Sequence, residues 1–256
     1  MTVTLLPGPA QGTLAAIPSK SAAHRLLICA ALGDRPVRVV CPQTSQDIEA
    51  TVRCLAGLGA SIRPWDQGYD VTPLDRAQTA GPCDLDCGES GSTLRFLIPL
   101  ALALGEGGGF LMGGRLGERP LEPYDPILEA CGVTSRREST PQGALLTLRG
   151  RLRPGNYTLP GDVSSQFVTG MLYALPLLPG DSTLTVTPPV ESAGYIRMTL
   201  QCLADSGIRL EETGPYAWRI PGNQRYRATG GALPGDWSQG VVLLCAGALG
   251  HPVSVA

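Results

Sequence analysis

The stretch "PSKSAAHRLLICAAL" (Pro18–Leu32) decides how the rest of the chain is read. It opens on proline and small hydroxyl residues and then runs apolar nearly all round, the pattern of a buried helix rather than a surface one. The same build returns in "CGESGSTLRFLIPLALA" from Cys87, "PGDVSSQFVTGMLYALPLL" from Pro160 and "PGDWSQGVVLLCAGAL" from Pro234. The interval is roughly 70 residues, as expected of one supersecondary unit repeated.

The second halves of the units also match. "TSQDIEATVRCLAGLGASIR", "ERPLEPYDPILEACGVTSRR" and "ESAGYIRMTLQCLADSGIRL" each read as an amphipathic helix that stops at a glycine before a strand. Gly59, Gly132 and Gly207 stand where a helix C-cap glycine belongs. "YDVTPL", "ALLTLRG" and "YAWRIPG" supply a closing strand in each unit. The spacing therefore predicts an α/β fold of three β-α-β-α-β-β units packed around three buried helices, with the amphipathic helices outside. The fourth unit has its turn, an apolar helix from Gly240 to Leu249 and "HPVSVA", and no second helix follows in the sequence. A lone apolar helix and strand cannot bury themselves. That helix should be exposed, or covered by the N-terminal strand Val3–Leu6 or by a second copy through residues 234–256.

Composition narrows the function. A formal net charge of −2 over 256 residues gives no general attraction to nucleic acid or to membrane surfaces. No apolar run approaches the roughly 20 residues of a membrane span, and the N-terminus lacks the basic and apolar regions of a signal peptide. Eight cysteines are scattered without a CxxC, and two histidines, His24 and His251, are too few for a zinc site. The expectation is a reduced, cytoplasmic protein with no cofactor and no metal.

The helix openings carry the chemistry. Ser19-Lys20-Ser21, Gly91-Ser92-Thr93 and Ser164-Ser165-Gln166 place hydroxyls and unpaired backbone N–H groups at helix starts, where the dipole is positive and anions bind. If the units are related by pseudo-threefold symmetry, the three ends converge. Arg25 and Arg95 lie within the first turns of two of these helices, and Arg119 lies in "GERP" ahead of the second helix of unit two. Lys20 is the only lysine; the other basic side chains, histidines apart, are nineteen arginines. Such a site suits a small, multiply anionic ligand. Taken one at a time, the hydroxyls are ordinary N-caps and the arginines ordinary surface residues; recurrence at one place in three units favours the joint reading. There is no P-loop, because Pro and Ser rather than Gly precede Lys20.

In this order and spacing, "PSKSAAHRLLICAAL", "CGESGSTLRFL", "GERPLEPYDPIL", "GDVSSQFVTGML" and "YIRMTLQCLADSGI" resemble the 5-enolpyruvylshikimate-3-phosphate synthase (3-phosphoshikimate 1-carboxyvinyltransferase) family, from about Leu5 onward. The resemblance implies the enolpyruvyl-transferase fold, six such units in two domains, and a place in the shikimate pathway to aromatic amino acids. It implies that Lys20 contacts phosphoenolpyruvate and shikimate 3-phosphate and serves catalysis. It implies that Ser21, Arg25, Ser164, Ser165, Gln166, Ser192 and Tyr195 bind shikimate 3-phosphate. Gly91, Arg95, Arg119 and Gln166 would face phosphoenolpyruvate. Glu89 departs from the asparagine many members carry, and Ala193 and Gly194 stand where many have a basic residue between the serine and the tyrosine.

The domain expectation that follows is residues 18–230 as a shikimate-3-phosphate-binding domain of three repeats, with 1–17 and 231–256 an incomplete part of the second domain. The chain should cross between them near Thr13–Pro18 and Arg227–Pro234. No carboxylate in the chain presents itself for proton transfer, so the chain should bind substrate without turning it over alone; the full-length protein should be a monomer. Two other readings stand beside this one. UDP-N-acetylglucosamine enolpyruvyl transferases share the fold and cosubstrate, but usually carry a reactive cysteine where Arg115 stands, and asparagine rather than Ser21 after the lysine. The other is a non-catalytic binding fragment or pseudoenzyme; the intact "SK" and "SSQ" weigh against decay of the site.

Overall fold

The structure is a computed structural model that describes residue 4 and residues 11–78, 81–250 and 252–255. The strand expected at Val3–Leu6 lies outside the described residues apart from Thr4. After β1 (Gly12–Leu14), the first unit runs through α1 (Lys20–Leu32), β2 (Val37–Val40), α2 (Gln46–Gly57), β3 (Ser61–Trp65) and β4 (Gly68–Thr72). The second contains β5 (Cys83–Asp86), α3 (Gly91–Leu104), β6 (Gly107–Met112), α4 (Asp125–Ala130), β7 (Thr134–Thr140) and β8 (Gly143–Arg149). The third contains β9 (Asn156–Pro160), α5 (Ser165–Ala174), β10 (Ser182–Thr187), α6 (Ala193–Asp205), β11 (Glu211–Gly214) and β12 (Ala217–Ile220). The chain continues into β13 (Gly231–Ala232), α7 (Trp237–Ala248) and β14 (Val253–Val255).

Each unit builds one four-stranded sheet in the same order. Unit two is β5-β6-β8-β7 and unit three is β9-β10-β12-β11. In both, the first pair is parallel across the buried helix and the others are antiparallel. Unit one follows the pattern with a substitution: its outer parallel strand is β13, with Gly231 opposite Val39 and Ala232 opposite Val40. The N-terminal segment goes instead to the fourth unit, where β1 pairs in parallel with β14, Gly12 opposite Val253. Units one and four thus exchange first strands. The two crossing segments are pinned to each other: Ser19 N–H donates to the Pro234 carbonyl at 2.8 Å and Asp236 N–H to that of Ile17 at 2.8 Å.

The repeat is physical at the helix ends. In α2, α4 and α6 the chain reverses through Gly59, Gly132 and Gly207, with φ of 107°, 69° and 75°, a region glycine enters without steric cost. In each the residue after the glycine donates back five positions: Ala60 to Leu55 at 3.1 Å, Val133 to Leu128 at 2.8 Å, Ile208 to Leu203 at 2.9 Å. That is one Schellman stop used three times, and the side chains it joins are apolar in every case.

The helices α1, α3 and α5 form the centre. Leu27, Ile28, Leu97, Leu100, Phe167 and Met171 are completely or almost completely buried there. The outer helices bury one stripe, as in α2 through Ile48, Thr51, Cys54 and Leu55. Unit two departs from the expected outer helix. It forms a 3₁₀ turn at Glu122–Tyr124 and then only the short α4. Pro120, Pro123 and Pro126 each lack the N–H that would carry a longer helix. The α7 helix is open, one of the alternatives expected: Trp237 and Val242 are 78% and 67% exposed and its C-cap Leu249 is 82% exposed, while β14, itself paired with β1, packs on its other side.

Candidate functional site

Four residues at equivalent places cap the four apolar helices. Ser19 Oγ accepts from Ala22 N–H, Ser90 Oγ from Thr93 N–H, Ser164 Oγ from Gln166 N–H, and the Asp236 carboxylate from Ser238 and Gln239 N–H. Each cap fixes the entry of its helix and leaves other first-turn amides for an external acceptor.

Side chains hold the starts of α3 and α5 together. The Gln166 amide accepts from Arg95 Nη1 at 2.6 Å and donates to Ser92 Oγ at 2.9 Å. Arg95 also donates to the Pro120 carbonyl at 3.0 Å and lies 4.9 Å from the centre of the Phe167 ring. Gly91 lies between the arginines: a Cβ there would come 2.9 Å from Arg119 Nη1, 3.5 Å from Arg95 Nη1 and 3.7 Å from Gln166 Oε1. Only a residue without a side chain leaves that space open beside two guanidinium groups.

Pro99 explains how Arg95 is seated. A proline inside α3 offers no N–H to the carbonyl four residues earlier, which is that of Arg95. The buried Tyr124 hydroxyl lies 2.6 Å from that carbonyl and 3.1 Å from the Phe167 carbonyl of α5. Gly170 makes room for the crossing, since a Cβ there would come within 2.4 Å of both the Arg95 carbonyl and the Tyr124 hydroxyl.

Arg25 joins α1 to α5 and α6. Its guanidinium donates to Thr199 Oγ1 at 2.9 Å, to the Ser21 carbonyl at 2.8 Å and to the Tyr195 carbonyl at 3.0 Å, with Thr169 Oγ1 at 3.4 Å. It is stacked between Phe96 and Tyr195, at 5.4 and 5.9 Å from the ring centres. It is 3% exposed, so what it offers the site in this arrangement is its field. Burial lowers the pKa of both Arg25 and Arg95 from the ordinary arginine value. Among the described residues no carboxylate pairs with either. Taking an ion out of water costs several kcal/mol, and here neither of the two is in an ion pair, although the Glu122 carboxylate acts on Arg95 through its field.

Lys20 is half exposed, and its ammonium pairs with Asp47 Oδ2 at 2.6 Å. Its backbone N–H meets Asp236 Oδ2 at 3.2 Å. The sequence reading found no carboxylate for this place; the structure brings up two, from the first turn of α2 and the cap of α7. Ser21 and Ser164 are partly exposed, and Ser165 is buried. Ser192 has the left-handed φ of 56°, rare for a residue with a side chain. Its hydroxyl makes no capping bond to α6, and Tyr195 beside it is 39% exposed. Glu89 lies against the Gly113-Gly114 turn, where a Cβ on Gly114 would meet its carboxylate at 2.5 Å.

Several participants were missed in the sequence: Asp47, His24, Thr51 and Tyr124; Thr93 was read as part of a helix opening but not as a buried link. The available signal was polar residues at positions that the apolar periodicity assigns to the interior. Thr51, Thr93, Thr169 and Thr199 are all completely buried, and each reaches a neighbouring helix.

Comparison with known proteins agrees over nearly the whole chain. A family profile described as EPSP synthase (3-phosphoshikimate 1-carboxyvinyltransferase) matches residues 6–255. A 3-phosphoshikimate 1-carboxyvinyltransferase of Clostridium botulinum is 39% identical over 259 residues, covering 99% of this chain and 59% of that protein. One from Clostridium kluyveri is 40% identical over 253 residues, covering 98% and 58%. The chain thus spans a little under 60% of the length of these relatives. A solved EPSP synthase structure from Acinetobacter baumannii superposes with a TM-score of 0.73 at 21% identity, over 92% of this chain and 53% of that one, and so speaks for the shared fold. With that profile covering the three repeats and all four capped helix starts, the chain belongs to the EPSP synthase family.

Proposed function

We propose that this chain is the shikimate-3-phosphate-binding part of a protein that transfers the enolpyruvyl group of phosphoenolpyruvate to the 5-hydroxyl of shikimate 3-phosphate. In that reaction the hydroxyl oxygen gives up its proton and adds to C2 of phosphoenolpyruvate while C3 gains a proton; C3 then loses a proton as the C2–O bond to phosphate breaks, which restores the double bond and releases phosphate. The observation that carries the reading is a set of three capped helix starts, those of α3 and α5 joined through Arg95, Gln166 and Ser92 and that of α1 tied to α3 through Asp47, together with two buried guanidinium groups in no ion pair and one ammonium. Two phosphates and two carboxylates, one of each on either ligand, are the kind of charge such a place lacks. Ser21, Arg25, Ser164, Ser165, Gln166, Ser192 and Tyr195, on α1, α5 and the start of α6, are assigned to shikimate 3-phosphate. Gly91, Arg95, Arg119 and Gln166, around the start of α3, are assigned to phosphoenolpyruvate. Lys20 lies between the two groups, and Asp47 holds its ammonium in place until substrate arrives.

The domain reading goes with this. Residues 18–230 are the substrate-binding body, and 1–17 with 231–256 begin the second, the passage being made where β13 crosses to β2. The activity belongs to a protein of the relatives' full length, acting as a monomer in the cytoplasm; this chain alone binds and does not turn over. Alone, it self-associates through residues 234–256. Calorimetric titration with shikimate 3-phosphate tests the assignment. Binding that weakens as salt is raised from low to physiological strength is expected, because the contacts are ionic. Absence of binding at low salt, or phosphate release from phosphoenolpyruvate at an ordinary enzymatic rate by this chain alone, contradicts it.

A further inference from the structure

A line of buried hydrogen bonds runs beneath the start of α3. His24 Nδ1 lies 2.7 Å from Thr51 Oγ1, Thr51 Oγ1 lies 2.7 Å from Thr93 Oγ1, and Thr93 Oγ1 donates to Ser90 Oγ at 2.7 Å. The Asp47 carbonyl is a second acceptor for Thr93, at 3.4 Å. All four residues are shut away from solvent, none more than 2% exposed.

The direction of the line follows from counting protons. A hydroxyl has one to give. That of Thr93 goes to Ser90 or to the Asp47 carbonyl, so Thr51 donates to Thr93. The Thr51 proton is then committed, so the imidazole donates to Thr51. His24 therefore carries its proton on Nδ1, and Nε2 is a bare lone pair. The structure is consistent with this: Nε2 is buried with no hydrogen-bond partner among the described residues, as a nitrogen with no proton to place can be. At the far end Ser90 Oγ receives both the amide and the hydroxyl of Thr93, which leaves its own proton to donate.

We propose that His24, Thr51 and Thr93 are positioning residues for the anion subsite at the start of α3. The relay ties α1, α2 and α3 together at fixed spacing. Thr51 lies one turn beyond Asp47, which holds Lys20, and Ser90 caps the helix whose first residue is Gly91. Its length therefore sets how far the Lys20 ammonium stands from the Gly91 amide and from Arg95 and Arg119. The arrangement is electrically quiet, because burial keeps the imidazole neutral; the relay supplies orientation, not charge. The proposal rests on the functional reading above, which puts the phosphoenolpyruvate phosphate at that helix start.

Two measurements on the whole chain decide it. With only two histidines in the sequence, nitrogen NMR of the histidine rings reads the His24 tautomer directly. The expected result is a protonated Nδ1 and a bare Nε2, with the preference lost in Thr51→Val; a protonated Nε2 in the wild type overturns the relay. The second measurement titrates inorganic phosphate and follows the Gly91 amide, with shikimate 3-phosphate at the Ser192 amide as the control. Thr51→Val, which keeps the volume, should weaken phosphate about fivefold, the net worth of one hydrogen bond. Thr51→Ser should restore it, shikimate 3-phosphate should be unaffected, and Thr93→Val should repeat the Thr51→Val result. Unchanged phosphate affinity in folded Thr51→Val, or equal weakening of both ligands, overturns the positioning role. A wild-type chain with no phosphate response at Gly91 overturns the functional reading and the subsite with it, while the tautomer still reports on the relay.

Discussion

At the scale of single residues, Lys20 is one ammonium among nineteen guanidinium groups. An ammonium is a compact charge that fits between two anions and can change its protonation; a guanidinium is broad, planar and always charged. In a protein of the relatives' full length, Lys20→Arg should lower turnover by at least about two orders of magnitude, the scale of losing one placed electrostatic group. Its stability should move by no more than about 0.5 kcal/mol, since the side chain is 48% exposed. Near-normal turnover in steady-state assays of that variant would remove the point-charge argument. His24 makes a second prediction. Burial lowers its pKa from 6.5 to about 3, with Lys20 and Arg25 pushing the same way and Asp47 against. Between those values the unfolded chain binds the proton and the folded chain does not, so stability rises with pH. The contribution is whole above pH 6.5 and is lost as pH falls toward 3, at up to about 1.4 kcal/mol per pH unit. Urea unfolding from pH 6 down to pH 4 should show a flatter decline for His24→Asn, which does not titrate, than for the wild type. Equal slopes would mean that the imidazole is protonated in the folded state.

Elements carry the next level. In α3 the proline frees the Arg95 carbonyl, Tyr124 satisfies it, and Gly170 lets the two helices approach. Tyr124→Phe keeps the ring and removes the donor. Leaving that buried carbonyl unpaired should cost about 1–3 kcal/mol in denaturant unfolding, and it should loosen Arg95 against Gln166. An unchanged midpoint would show that the carbonyl finds another partner. The parts of this level visible in the sequence are those decided within a turn or two. Ser19 and Ser164 cap as their local patterns predict, Ser90 caps one residue ahead of the opening read at Gly91-Ser92-Thr93, and Gly59, Gly132 and Gly207 stop helices as glycine should. The shortening of α4 was also within reach, because three prolines in seven residues forbid a regular outer helix there. The Tyr124 contact was not: it joins residues 29 and 43 positions apart and depends on how two helices are rotated about their axes, which periodicity leaves open.

For the molecule as a whole, the threefold build was legible because each unit repeats its own stop and start signals. Of the strand exchange, the resemblance put the N-terminal segment with the fourth unit, but the pairing of β13 with β2 was not legible, since β13 is two residues long and has no pattern of its own. The Lys20–Asp47 pair, the His24 line and the Arg25 contacts were hidden for the same reason as Tyr124; each needs two or three units in place before any distance exists. The α7 helix is the weakest point of the fold. Each aliphatic side chain left in water forgoes roughly 1.5–3 kcal/mol, and Val241, Val242 and Leu244 are at least 40% exposed. Hydrogen exchange on the chain should find α7 far less protected than α5, whose residues are nearly all buried; equal protection in a monomer would show a complete core around α7. The central claim is that three helix starts from separate units act as one anion site. The most direct test is an amide map of the chain titrated with shikimate 3-phosphate. The account predicts that the amides at Ser21 and Ala22, at Ser165 and Gln166, and at Ser192 shift together along one saturating curve. Shifts confined to a single unit, or curves with unrelated midpoints, would show that the helix starts bind separately and would contradict it.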